Sequence, residues 1–111
     1  MTELAETKQN QNIIGALTYF LGFITGVIFL LVEKKNSFVR FHAMQSIITF
    51  GGLFIVNIVL QAVPFLGQVV SSLLSLAGLI VWIVLMVKAL QGEKFKLPFI
   101  GDLAEKYVAK I

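Results

Sequence analysis

The side chains with the types and spacing to do chemistry fall mostly on one stretch. His42, Gln45, Ser46 and Thr49 recur at i, i+3, i+4 and i+7, so a helix through them carries all four on one face. Asn57 and Gln61 lie further along the same side. His42 is the only histidine of the chain and Arg40, two residues before it, the only arginine. A histidine can titrate near neutral pH or ligate a metal. Zinc usually takes four ligands, and with one His, no Cys and no acidic residue in the apolar runs, only an oligomer could assemble them. No Ser has a base beside it in sequence, and no glycine-rich loop is set to cradle phosphate. Proton-coupled carriers usually embed an Asp or Glu in the membrane, and every carboxylate here lies outside the apolar runs. The expectation is a chain with no catalytic residues, no metal and no cofactor, and not an enzyme. Its polar face should either bond helix to helix or line a conduit.

The elements that carry this face are set by solvent. Hydrophobic residues make up 58% of the 111 positions and charged residues 14%, against roughly 25% charged in a soluble domain. So short a chain cannot hide that much apolar surface from water, so the solvent is lipid. The net charge of +3 is read as membrane-side basic residues and not as a nucleic-acid partner. With no Cys there is no disulfide, and the redox compartment stays open.

Ile13 to Val32 is 20 residues without a charge, and about 20 helical residues cross the roughly 30 Å hydrocarbon core. The acidic start (Glu3, Glu6) and the length of the run speak for an uncleaved anchor, not a signal peptide. Asn36 or Ser37 can cap a second helix. Ala43 to Val87 is 45 residues without a charge, broken at Pro64-Phe65-Leu66-Gly67, where Pro ends the helical ladder and Gly permits a turn. The reading is an all-α single membrane domain over 1–111. Its transmembrane helices lie at about 13–32, 38–63 and 68–88, after a polar tail over 1–12. In the cytoplasmic or interfacial tail over 89–111, Pro98 opens a short helix. Phe99, Ile100, Leu103, Tyr107 and Ile111 share one side of it, opposite Asp102, Glu105 and Lys106, the pattern of an interfacial helix. No internal repeat is evident.

Three spans leave Lys8 alone on one side. The other side carries Lys34, Lys35, Arg40, Lys88, Lys94, Lys96, Lys106 and Lys110. Lys and Arg collect in the cytoplasm, which predicts a cell-membrane protein with the N-terminus outside and the C-terminus cytoplasmic. Lys34, Lys35, Arg40, Lys94 and Lys96 stand where lipid headgroups would meet them. Gly15, Gly22 and Gly26 in the first helix, and Ser71, Ser75 and Gly78 in the third, are candidates for close helix packing. Gly22 and Gly26 form a GxxxG pair suited to packing within the chain or to a homo-oligomer.

Phe38-Val39-Arg40-Phe41-His42-Ala43-Met44-Gln45-Ser46 resembles a signature of a family of small, uncharacterised multi-pass membrane proteins of bacteria and archaea. Gly92-Glu93-Lys94-Phe95-Lys96-Leu97-Pro98-Phe99-Ile100-Gly101-Asp102 resembles that family's second signature, and together the likeness runs over about 13–106. The family is more distantly similar to the twenty-kilodalton subunit of the chloroplast inner-envelope import translocon, which has more spans than this chain offers, and to certain magnetosome membrane proteins. The resemblance implies membership and no catalytic or ligand-binding residue. The expected partners are the bilayer and either a second copy or another membrane protein. The expected role is non-enzymatic packing, the alternative a small transporter or translocation-pore subunit using the polar face.

Overall fold

The computed structural model describes residues 7–111, so the part of the polar start on residues 1–6 lies outside the described residues. Among the described residues the chain is all-helical. The helices are α1 (Lys8–Leu17), α2 (Phe23–Val32), α3 (Ser37–Ser46), α4 (Gly52–Leu60), α5 (Leu66–Leu90) and α6 (Ile100–Val108). A π-helical turn, Ile47–Gly51, joins α3 to α4 without a break. Ser37–Leu60 is thus one rod of 24 residues, and α5 is a second of 25. At 1.5 Å per residue both exceed the roughly 30 Å core. The two lie antiparallel: Gly78 meets Leu53, and Ser71 hydrogen-bonds Asn57.

The first apolar run departs from the expected single helix over 13–32. It breaks between Leu17 and Phe23, where Gly22 takes φ +63°, a conformation glycine alone adopts without strain. Breaking a helix frees backbone groups that lipid cannot satisfy. Here side chains take them up. Thr25 Oγ1 accepts from Leu21 N–H and donates to the Thr18 carbonyl. Ser46 Oγ reaches the Gly22 carbonyl at 2.7 Å, and Trp82 Nε1 reaches the Tyr19 carbonyl at 2.6 Å.

The break reverses the chain. Along α3, α1 runs parallel: Gln11 bonds Asn36, Gly15 lies against Phe38, and Tyr19 bonds His42. Helix α2 runs back: Gly22 bonds Ser46, Gly26 lies against Ala43, and the Leu30 and Glu33 carbonyls meet Arg40. Asn12 and Gly15 also face Gly92 and Ala89 at the end of α5. Both ends of the α1–α2 pair therefore lie at the same end of the molecule as the start of α3 and the end of α5. The polar residues from Lys8 to Asn12, expected as tail, are helical; Gln11 and Asn12 make contacts there, while Lys8 and Gln9 are exposed.

Two helix starts share a device absent from the sequence reading. Pro64-Phe65-Leu66-Gly67 opens α5, and Pro98-Phe99-Ile100-Gly101 opens α6. Each Phe has positive φ (62° and 63°), and each following amide bonds back to the proline carbonyl, at 2.7 Å and 2.6 Å. Such a γ-turn is strained for a non-glycine residue. It throws the ring outward, with Phe65 81% and Phe99 84% exposed. The likeness is four residues long, and its shared backbone geometry shows what it does.

The tail helix forms as expected but docks by its small side. Ala104 is buried against α3 and Gly101 against Lys96, while Phe99, Leu103, Tyr107 and Ile111 stay exposed. Most of the remaining apolar surface also points outward. Helix α4 has no buried residue, and α5 buries only Gly67, Leu85 and Ala89.

Candidate functional site

The polar face of α3 meets the hairpin tip and the tail in one buried cluster. Tyr19, His42, Gln45 and Ser46 are all fully buried. Gln45 Nε2 donates to Tyr19 Oη and to the Phe95 carbonyl, and its Oε1 accepts from Leu97 N–H, each at 2.9 Å. Gln45 thus clamps an extended stretch of the tail much as a neighbouring β-strand would.

Donor bookkeeping fixes the protons. A carboxamide nitrogen can only donate, so Tyr19 Oη accepts from Gln45 and passes its own proton to His42 Nδ1, 2.5 Å away. The imidazole then carries its proton on Nε2. That nitrogen has no well-formed hydrogen bond, and the Glu93 carbonyl lies beside it. Phe38, Phe41 and Tyr19 close round the ring edge-on, with centroids at 4.5, 5.2 and 5.4 Å. Among the described residues no group of three or more His, Asp or Glu side chains converges on a point.

The structure divides the remaining expected site residues. Thr49 joins no bond of the cluster: its hydroxyl is buried without a partner in the π-helical turn, beside an apolar groove of about 420 Å³ between α4, α5 and Leu97–Ile100. Asn57 lies apart, bonding the Leu53 carbonyl and Ser71, and so pins α4 to α5. Gly15, Gly26 and Gly78 sit at helix contacts within the chain, where an added Cβ would meet Phe38, the Ala43 carbonyl or Leu53 within 3 Å. Gly22 caps α2 in a turn, and both it and Gly26 lie against Ser46. Ser75 is exposed on α5.

The five cations expected at headgroup level also separate. Lys94 and Lys96 both pair with Glu105 at 2.6 Å, and Lys96 pairs with Asp102 at 2.8 Å. Lys94 also sits 4.7 Å over the Phe41 ring. Lys94 and then Lys96 hold the Glu105 carboxyl down to about 2, and Asp102 with Glu105 pushes Lys96 up to about 12. The depressed carboxyl helps the tail above the ordinary carboxylate range and loses that as pH falls toward about 2. The raised amine helps below the ordinary lysine range and loses that as pH rises through about 12. The ion pairs that hold α6 are therefore level from about pH 5 to about pH 10. Arg40 caps the end of α2, and Lys34 and Lys35 remain exposed.

Sequence reasoning missed Tyr19, the partner of His42 and Gln45, and Trp82, which donates to the Tyr19 carbonyl. The available signal was a tyrosine at mid-run with Thr18, Gly22 and Thr25 around it, small and polar residues that can satisfy a broken helix.

Comparison with known proteins agrees with this architecture. Residues 10–104 match the magnetosome magnetite crystal formation protein family. A UPF0132 membrane protein of Methanocaldococcus jannaschii is 55% identical over 98 residues, covering 88% of each chain. A UPF0132 membrane protein of Archaeoglobus fulgidus is 46% identical over 101 residues, 91% of this chain and 98% of the relative. No solved structure matches the chain. A helical chain with two rods long enough to cross a bilayer, archaeal relatives named as membrane proteins, and a family match over most of its length together identify it: the chain belongs to the magnetosome magnetite crystal formation protein family.

Proposed function

We propose that this chain is a non-enzymatic packing module of the membrane. It crosses twice, through Ser37–Leu60 and α5, and inserts α1 and α2 as a re-entrant pair from one side. Each half of that pair has 10 residues, about 15 Å of rise, or half the hydrocarbon core. The observation that carries the packing reading is the engagement of the polar face within the chain. His42, Gln45 and Ser46 are fully buried and bonded to the hairpin and the tail, whereas α4 and α5 turn almost all their apolar surface outward. That outward surface is what a second copy or another membrane protein would meet, through packing and not through polar bonds.

The same geometry supports a revised orientation. With the re-entrant pair returning to its own side, all nine Lys and Arg residues, Lys8 included, gather at one end of the molecule. The opposite end, the turn around Gln61 to Phe65, has none. The positive-inside bias then favours both termini in the cytoplasm.

A conduit along α3 needs water at the polar face. In native membranes, Ser46→Cys and Thr49→Cys should resist a water-soluble maleimide on the time scale that labels an exposed Gln61→Cys. Rapid labelling at position 46 would favour the transporter reading instead.

A further inference from the structure

We infer that the basic end of the molecule holds a binding site for the phosphate of an anionic lipid headgroup, in the pocket between the α2–α3 connection and the end of α6. The pocket has a volume of about 580 Å³, and Lys34, Lys35, Arg40 and Ser37 supply its polar side. Val108, Ala109 and Ile111 supply an apolar wall opposite. A volume in this range suits a small-molecule group.

Three observations favour a phosphate there. First, Arg40 is held ready. Its Nη1 donates to the Leu30 and Glu33 carbonyls at 3.0 and 2.6 Å, which fixes the planar fork. Its Nε and Nη2 protons have no partner among the described residues, and such a fork matches two phosphate oxygens at once. Second, the neighbouring cations join no ion pair among the described residues. The ion pairs among the described residues use Lys88, Lys94 and Lys96, not Lys34, Lys35 or Arg40. The nearest carboxylate in sequence, Glu33, is fully buried; its Oε1 accepts from the amides of Lys35 and Asn36, and its Oε2 is buried without a partner among the described residues. Third, the walls differ in character. A free phosphate gains nothing from Val108 and Ile111, whereas a phospholipid sets its glycerol and first methylenes against such a wall while its phosphate meets the lysines. The five cations that the sequence placed at headgroup level thus have two jobs: Lys94 and Lys96 fasten the tail, and Lys34, Lys35 and Arg40 face the ligand.

The assignment rests on this end of the molecule lying at a membrane surface, which labelling of the termini tests separately. The pocket itself is tested with the full chain in an uncharged detergent, following thermal unfolding. The additions are short-chain phosphatidylglycerol, short-chain phosphatidylcholine or inorganic phosphate. Phosphatidylglycerol should raise the unfolding temperature saturably, and the other two should not at equal concentration. Lys34→Gln with Lys35→Gln removes two exposed charges without touching the Arg40 cap, and should weaken that response about tenfold or more. The control, Lys8→Gln with Lys88→Gln, removes the same charge elsewhere and should leave it within about twofold. Equal shifts with phosphatidylcholine, or equal responses from the two double variants, would overturn the site. An equal shift with inorganic phosphate would overturn the lipid as its source.

Discussion

Gln45→Leu should cost about 2–4 kcal/mol and release the tail. The substitution nearly preserves volume but strips partners from Tyr19 Oη, the Phe95 carbonyl and the Leu97 amide together. An interhelical hydrogen bond in a membrane protein averages only about 0.6 kcal/mol, because broken partners usually find others. A buried polar group left unpaired costs about 1–3 kcal/mol. The second figure governs here, since two of the three orphaned groups belong to extended backbone with no helical ladder to rejoin. The measurement is thermal or steric-trap unfolding in bicelles, paired with limited proteolysis between Gly92 and Phe99. Tyr19→Phe, which removes the hydroxyl common to Gln45 and His42 but leaves the tail clamp, should cost clearly less. A Gln45→Leu protein within about 0.5 kcal/mol of wild type, with its tail still protected, would show that the clamp is dispensable.

A pair of alanine substitutions should move stability in opposite directions. At Gly26 a Cβ would sit 2.9 Å from the Ala43 carbonyl and about as near to Ser46. The obstacle is backbone, so α2 must shift away from α3 and loosen the adjacent Ser46–Gly22 bond. Overpacking of this kind costs about 1–3 kcal/mol, and Gly26→Leu should prevent α2 from docking. At Gly52, by contrast, nothing lies within 4 Å of an added Cβ. There alanine gains helix propensity, up to about 1 kcal/mol. Unfolding of the two variants side by side checks the contrast. Equal destabilisation would mean that α2 does not pack on α3 through Gly26.

These effects also mark what the residues disclosed and what they withheld. The two long rods were legible because a charge-free run twice the length of a span, interrupted by Pro64, admits few other solutions. The polar face was legible from its spacing, but its partners were not. Gln45 reaches backbone about fifty residues away, and backbone carries no sequence signature. The tail helix was legible as amphipathic, yet its docking side was not. Gly101 and Ala104 face the protein because small residues allow close approach, while the hydrophobic side stays exposed. The twin Pro-Phe-Leu/Ile-Gly starts escaped notice because four residues are too few to stand out without their positive φ angles.

The break in the first apolar run was not legible in the sequence for a physical reason. Length and hydropathy cannot distinguish 20 residues that cross a bilayer from 20 that enter and return. Gly22, flanked by Thr18 and Thr25, is what turns one into the other. The expectation that the termini lie on opposite sides, with Lys8 apart from every other basic residue, rests on reading that run as a full crossing; the proposed re-entrant pair would place them together.

The re-entrant pair is the central claim, and sidedness tests it most directly. The native chain has no Cys, so single substitutions at the exposed positions Gln9, Gln61 and Lys110 each supply a unique thiol. They are labelled with a membrane-impermeant maleimide on intact cells and on inverted vesicles. The account predicts that Gln9→Cys and Lys110→Cys react only in inverted vesicles and Gln61→Cys only on intact cells. Reaction of Gln9→Cys on the same side as Gln61→Cys would contradict it and restore three full crossings.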